Sequence, residues 1–324
     1  MQESPLFWPV RLEGNVLWVL DETLIPEKIH YIKVRNTADA VSVIRKMKTR
    51  AFGQFLVVLN TFLLVLKKNK AAPQPRLLKK LNETAKALNH SRPTFPFSEV
   101  TSIVLDWAQQ AKKQKIDPVP FIEKNILGFL SGIRSQRTQR AEKIAALIED
   151  GQSVLTHCNV SGELAMAAQI CRRQHKQVRF FATETRPYLQ GAKLTCWELK
   201  QVGADVTLIA DNAVGTVLQK CLVDLVVVGS DRSCANGDIA NKIGTYQIAV
   251  AAQEFGIPFY ALTQPSRQIS RGEKIPIEMR SEDELLKFSG KPIAPKGTRG
   301  FYPGFDVVSH KLIKGAIGLN AKAR

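Results

Sequence analysis

Apolar positions along the chain change their period twice. Over the first twenty residues they alternate, as Trp8, Val10 and Leu12 and then Val16, Trp18 and Leu20, around Glu13-Gly14-Asn15. Alternation puts one set of side chains on one face of a strand, and Gly14-Asn15 supplies a turn, so this stretch is predicted to be a β-hairpin. From Thr37 to about Asp150 the spacing becomes three and four, as in Ala40-Val43-Ile44-Met47 and Val100-Ile103-Val104-Trp107-Ala108. That is the period of helices, broken near Pro73 and Pro75, at Arg92-Pro93 and at Asp117-Pro118. After Gly151 short β-branched or aromatic runs appear: 153–156, 178–182, 206–209, 225–228 and 258–262. Between them lie helix-like pieces at 162–173, 192–202, 212–219 and 239–255.

Strands that are apolar on both faces and alternate with helices belong to a parallel sheet covered on both sides. The expected fold is therefore α/β: a Rossmann-like, doubly wound parallel sheet domain at 151–324, preceded by a smaller, mainly helical domain with an N-terminal β-hairpin at 1–150. The 324 residues exceed the roughly 150 of one typical domain, which agrees with two. In doubly wound sheets ligands sit beyond the carboxyl ends of the strands. Polar residues gather at those ends: Thr156-His157-Cys158-Asn159, Thr183-Glu184-Thr185-Arg186, Asp211-Asn212 and Gly229-Ser230-Asp231-Arg232. They are expected to face one cleft.

Composition narrows the function classes. Hydrophobic content of 44% and charged content of 23% fit a folded globular protein. The net charge of +17 points to an anionic partner without saying which. The densest basic stretch, Lys67, Lys68, Lys70, Arg76, Lys79 and Lys80, contains no aromatic to stack on a base, so it reads as a solvated face rather than a nucleic-acid surface. The five cysteines form no CxxC pair and fit reduced thiols in the cytoplasm. The start has no signal-peptide pattern, and the apolar run from Phe55 to Leu66, interrupted by Asn60, reads as a buried helix rather than a membrane span.

Cys158 precedes the first helix of the second domain, where a thiol pKa is lowered and suits proton abstraction or nucleophilic attack. Asp231 follows an apolar strand and Gly229-Ser230, and burial there would make it a general acid near neutrality. Turn formation or helix capping explains that Asp equally well. Gln190-Gly191-Ala192 opens a helix, and Asn241-Lys242 lies in another strand-to-helix passage; both suit a phosphate. There is no GxGxxG or GxxxxGK[ST], so a dinucleotide or the usual ATP cradle is unsupported. The histidines are scattered and the acidic residues form no calcium loop, so no metal is required. His157 is the histidine expected near the cleft.

An ordered series of strings covers nearly the whole chain: LTHCN at Leu155 to Asn159, ETRPYLQGAKLT at Glu184 to Thr195, WEL at Trp197 to Leu199 and GSDRSCANGDIANKIGTYQ at Gly229 to Gln247. GIPFY at Gly256 to Tyr260, IPIE at Ile275 to Glu278 and FDV at Phe305 to Val307 complete it. The series resembles the methylthioribose 1-phosphate isomerases, relatives of the alpha, beta and delta subunits of translation initiation factor 2B and of ribose 1,5-bisphosphate isomerase. The resemblance implies that Cys158 and Asp231 are catalytic and that Arg50, Ala51, Phe52, Arg92, Gln190, Asn241 and Lys242 bind the substrate, chiefly its phosphate. It also implies a homodimer and no cofactor. HCN and ANGD favour the isomerase branch over a regulatory subunit. Where the methylthioribose enzymes carry RGAPAIG, this chain reads Arg50-Ala51-Phe52-Gly53-Gln54-Phe55-Leu56, so Phe52 and Gln54 are expected to alter the pocket wall that sees the 5-substituent. An isomerase of 5-deoxyribose 1-phosphate is the alternative that this departure raises.

Overall fold

A computed structural model describes residues 3–92, 95, 97–264 and 269–319; Pro93, at one of the expected breaks, lies outside them. The chain divides into two compact units, Pro5–Ser135 and the part from Gln136 onward together with the segment ending at Ser4.

In the first unit, β1 (Val10–Glu13) and β2 (Val16–Leu20) pair antiparallel about Gly14, whose φ of 56° makes the turn. A third strand that the alternation does not reveal, β3 (Tyr31–Val34), pairs with β2, so the hairpin is part of a three-stranded sheet. Helices α1 (Thr37–Arg45), α2 (Ala51–Lys68), α3 (Gln74–Asn89), α4 (Phe97–Gln114) and α5 (Pro118–Leu147) follow. The apolar run is α2, which is long and apolar enough to cross a membrane on composition alone; here 13 of its 18 residues are buried as the core of this unit. Its polar interruptions are satisfied within the helix: Asn60 Nδ2 donates to Leu56 O at 2.8 Å and Thr61 Oγ1 to Val57 O at 2.6 Å. Such back-bonding removes the cost of burying an amide and a hydroxyl.

The units divide inside α5, between Ser135 and Gln136, and not at Gly151 where the sequence texture changes. Side chains from the last turns of α5 explain this. Arg140 Nη2 donates to Glu163 Oε1 at 2.6 Å and Arg137 Nη2 to Ser161 O at 2.7 Å, with Arg137 and Glu163 almost fully buried. A buried carboxylate needs both cations, so this end of α5 is bound to the second unit.

In the second unit β4 (Ser153–Thr156), β5 (Arg179–Thr183), β6 (Asp205–Ile209), β7 (Leu225–Val228), β10 (Phe259–Thr263) and β14 (Gly315–Gly318) form a parallel sheet in the order β14-β10-β7-β4-β5-β6. The intervening helices are α6 (Glu163–Arg173), α7 (Cys196–Gln201), α8 (Val214–Gln219) and α9 (Thr245–Glu254). Two short strands, β8 (Arg232–Ser233) and β9 (Ile239–Lys242), join β13 (Phe305–Val308) in a small antiparallel sheet, and α10 (Glu282–Leu286) leads into the pair β11 (Lys287–Phe288) and β12 (Lys291–Pro292). The helix expected over 239–255 is therefore a strand followed by a helix that begins at Thr245. Pairing of Asn241 with Asp306 and of Ile239 with Val308 overrides the local pattern. The chain winds from β4 outward through β5 to β6, then returns to β7 on the other side of β4. The topological switch point lies between β4 and β7, and this is where such a sheet opens a crevice.

Candidate active site

Cys158 follows β4 and Asp231 follows β7, so the two flank the switch point. A side chain at Gly229 would bring a Cβ to 3.3 Å from Val160 Cγ1 and 3.9 Å from Asn241 Oδ1, so the β4 loop, the β7 loop and β9 converge here. Cys158 and Asp231 are both half-buried. The backbone of Asp231 is held by its N–H, which donates to Ala240 O at 2.9 Å.

The Cys158 loop is held in a left-handed conformation, φ 63°, and Ser161, Thr185 and Leu189 around it share that region. Non-glycine residues occupy it only where surrounding contacts over-determine it. Those contacts are present. Cys158 N donates to Thr185 Oγ1 at 3.0 Å, while Thr195 Oγ1 donates to Cys158 O at 2.5 Å. The amide of Asn159 donates to Thr195 Oγ1 at 3.0 Å and to Glu198 Oε1 at 2.9 Å. Glu198 is fully buried, and burial pushes its carboxyl up to about 8. The Asp211 carboxylate accepts from Thr185 N at 2.8 Å and Arg186 N at 2.7 Å, fixing the neighbouring β5 loop.

His157, which precedes Cys158, is buried, and both of its ring nitrogens are hydrogen-bonded. Nε2 lies 2.9 Å from Ile243 O, which only accepts, so the proton sits on Nε2 and Nδ1 accepts from Thr183 Oγ1 at 2.6 Å. Burial lowers its pKa and keeps the ring neutral. Gly244, at φ 103°, makes room for it, since a Cβ there would lie 3.1 Å from His157 Cε1.

Gln190, Asn241 and Lys242 are all buried in the same unit. Gln190 leads into a wide turn at Gly191–Thr195 that continues into α7, packed so tightly that a Cβ at Gly191 would fall 1.8 Å from Thr183 O. Among the described residues nothing hydrogen-bonds Gln190 Oε1. Asn241 Nδ2 donates to Thr245 Oγ1 at 3.0 Å, and Lys242 Nζ lies 4.7 Å from the Phe305 ring centre and 5.7 Å from that of Tyr188. Beside them Asp306 accepts from Gly244 N at 2.7 Å, and burial raises its carboxyl to about 6. Sequence reasoning singled out neither Asp306 nor Glu198 as a site residue; each stands inside a noted motif, FDV or WEL, and that was the available signal.

Arg50, Ala51, Phe52 and Arg92 belong to the first unit, the first three at the start of α2 and Arg92 after α3. Arg50 N donates to Glu22 Oε1 at 3.1 Å, and Thr49 Oγ1 donates to the same buried carboxylate. Gln54 is fully buried: its Oε1 accepts from Arg92 Nη1 at 3.1 Å and its Nε2 donates to Thr49 O at 2.9 Å. Gln54 thus fixes Arg92 instead of forming a pocket wall. Phe52 is half-buried, with Trp8 edge-on at 5.7 Å and Phe55 stacked at 6.1 Å. Arg50 as N-cap and Arg92, held by Gln54 of the first turn, bring two cationic residues to the N-terminus of an 18-residue helix, a grouping suited to an anion.

The chain belongs to the initiation factor 2 subunit family, whose model matches residues 54–318. Within it, the chain is 35% identical to the methylthioribose-1-phosphate isomerase of Desulforudis audaxviator, over 98% of this chain and 93% of that protein. It is 36% identical to the 5-deoxyribose 1-phosphate isomerase of Moorella thermoacetica, over 95% and 92% of the two chains. The crystal structure of 5-methylthioribose 1-phosphate isomerase from Pyrococcus horikoshii is similar with a TM-score of 0.83 at 29% identity, covering 98% of this chain and 93% of that one.

Proposed function

We propose that this chain is an aldose-ketose isomerase that converts 5-methylthioribose 1-phosphate into 5-methylthioribulose 1-phosphate, a step of methionine salvage. The observation that carries the proposal is the placement of Cys158 and Asp231 at the ends of neighbouring parallel strands, on either side of the switch point. Near-full-length similarity to two pentose 1-phosphate isomerases supports the substrate class.

A sugar whose anomeric oxygen carries phosphate cannot open its ring by mutarotation, so the ring oxygen must be helped to leave. In the proposed sequence Cys158, as the thiolate, takes the proton from C2. The C–H electron pair forms the C1–C2 double bond, the bond from C1 to the ring oxygen breaks, and Asp231 protonates that oxygen. The resulting enol phosphate loses the proton of its C2 hydroxyl to Asp231 and gains a proton at C1 from Cys158. The product is the 2-ketose 1-phosphate, and both groups return to their starting states. One acid and one base suffice, with no cofactor called on.

Gln190, Asn241 and Lys242, together with Arg50, Ala51, Phe52 and Arg92, are the proposed substrate contacts, with the cationic groups serving the phosphate. The enzyme is read as a cytoplasmic homodimer with no role in binding nucleic acid. A second substrate, 5-deoxyribose 1-phosphate, is favoured by Phe52 in place of a small residue and by the Moorella relative. Initial rates on the two sugar phosphates test both readings. Conversion of neither would return the chain to the regulatory, non-catalytic branch of its family.

A further inference from the structure

Tyr302 lies on the stretch that leads into β13 and is only 4% exposed. Its backbone is fixed on both sides: Tyr302 O accepts from Arg280 N at 2.9 Å, and Gly304 N donates to Glu278 O at 2.8 Å. Gly304 O accepts from Ile243 N at 3.2 Å, and Ile243 O is the partner of His157 Nε2, so this stretch runs beside the Cys158 loop. Among the described residues nothing hydrogen-bonds the buried Tyr302 hydroxyl. It stands within electrostatic reach of Tyr188, Glu284, Arg280 and Cys158.

A tyrosine buried only to fill a core ordinarily directs its hydroxyl to a partner, because an unmet buried polar group is costly. Glu278 and Glu284 both accept from Arg280, which also donates to the Tyr188 hydroxyl, and neither carboxylate bonds the Tyr302 hydroxyl. Burial raises the Tyr302 pKa, so the phenol keeps its proton at any working pH and is a donor. In the same unit Gln190 Oε1 is likewise buried and unmet. A buried donor and a buried acceptor of this kind match a polyhydroxylated ligand.

We infer that Tyr302 binds the substrate, its phenol donating a hydrogen bond to a sugar oxygen next to the carbon on which Cys158 acts. The inference rests on the isomerase reading above. A donor at that oxygen is strengthened as negative charge builds there while the enol hydroxyl gives up its proton.

Tyr302→Phe removes one oxygen and keeps the ring. The expected result is a fall of about tenfold or more in kcat/KM on whichever pentose 1-phosphate the wild type converts. The urea midpoint of the ligand-free variant stays equal to or above that of the wild type, since an unmet hydroxyl has been removed. The rise in melting temperature that the substrate gives the wild type shrinks in the variant. A kcat/KM within twofold of wild type overturns the inference and leaves the isomerase reading standing. A clearly lower urea midpoint also overturns it, since the hydroxyl would then be bonded within the fold. A wild type that converts neither sugar phosphate removes the isomerase reading and the inference with it.

Discussion

Glu198 gives a prediction whose size follows from its surroundings. The side chain is fully buried, receives the Asn159 amide at 2.9 Å and the Ser4 hydroxyl at 3.2 Å, and has its carboxyl raised from 4.5 to about 8 by burial. Between these values the native state keeps a proton that the unfolded state has released. Unfolding then liberates a proton, and stability falls as pH rises, by about 1.4 kcal/mol per pH unit. The contribution is full below 4.5 and is lost by the time pH has passed through about 8. At pH 7 the loss is about 3 kcal/mol. Glu198→Gln has nearly the same shape, still accepts from Asn159, can donate to Ser4, and cannot ionise. The variant is expected to match the wild type near pH 4.5 and to exceed it by about 3 kcal/mol at pH 7. Urea unfolding followed by circular dichroism from pH 4.5 to 8.5 measures the difference, in which other titrating groups cancel. Parallel pH curves for the two proteins would refute the reasoning, as would a variant less stable at pH 7.

Three further outcomes are expected. Gly191→Ala drives a Cβ to 1.8 Å from the Thr183 carbonyl, which is backbone and cannot rotate away, so the melting temperature falls by the equivalent of about 2 kcal/mol or more. Glu163→Gln leaves Arg137 and Arg140 buried without a countercharge and costs about 3–5 kcal/mol in urea unfolding. Gln54→Leu removes the acceptor for Arg92 Nη1, and on the proposed phosphate role it raises KM more than it lowers kcat in initial-rate measurements.

The second unit was the more legible in sequence. Runs such as Leu225–Val228 are apolar on both faces, and only a strand between two helix layers needs that, so β4 and β7 fall where the pattern places them. The polar ends of those runs also marked the loops of Cys158 and Asp231. What failed depended on distant partners. Ile239–Lys242 reads as the start of a helix because the strand that pairs with its whole length, 305–308, lies over sixty residues on, while the nearby β8 pairs with only two of its residues. β3 pairs with β2 across a ten-residue connection, and its four residues are too short a run to mark a strand by themselves. Division of the chain inside α5 follows from Arg137 and Arg140 meeting Glu163, a carboxylate that nothing in the local pattern marks as buried. Gln54 looked like a change in a pocket wall, yet it braces Arg92 from within the core. Tyr302 had no signal at all, since an unmet hydroxyl is a property of packing and has no motif.

The proton-transfer role of Cys158 and Asp231 is tested most directly by turnover of 5-methylthioribose 1-phosphate and 5-deoxyribose 1-phosphate by the wild type, Cys158→Ser and Asp231→Asn, with ketose formation followed over time. The wild type is expected to convert at least one of them. Each variant is expected to lose about 100-fold or more in kcat while keeping the wild-type circular dichroism spectrum. Near-normal turnover by either variant would contradict the assignment of the pair.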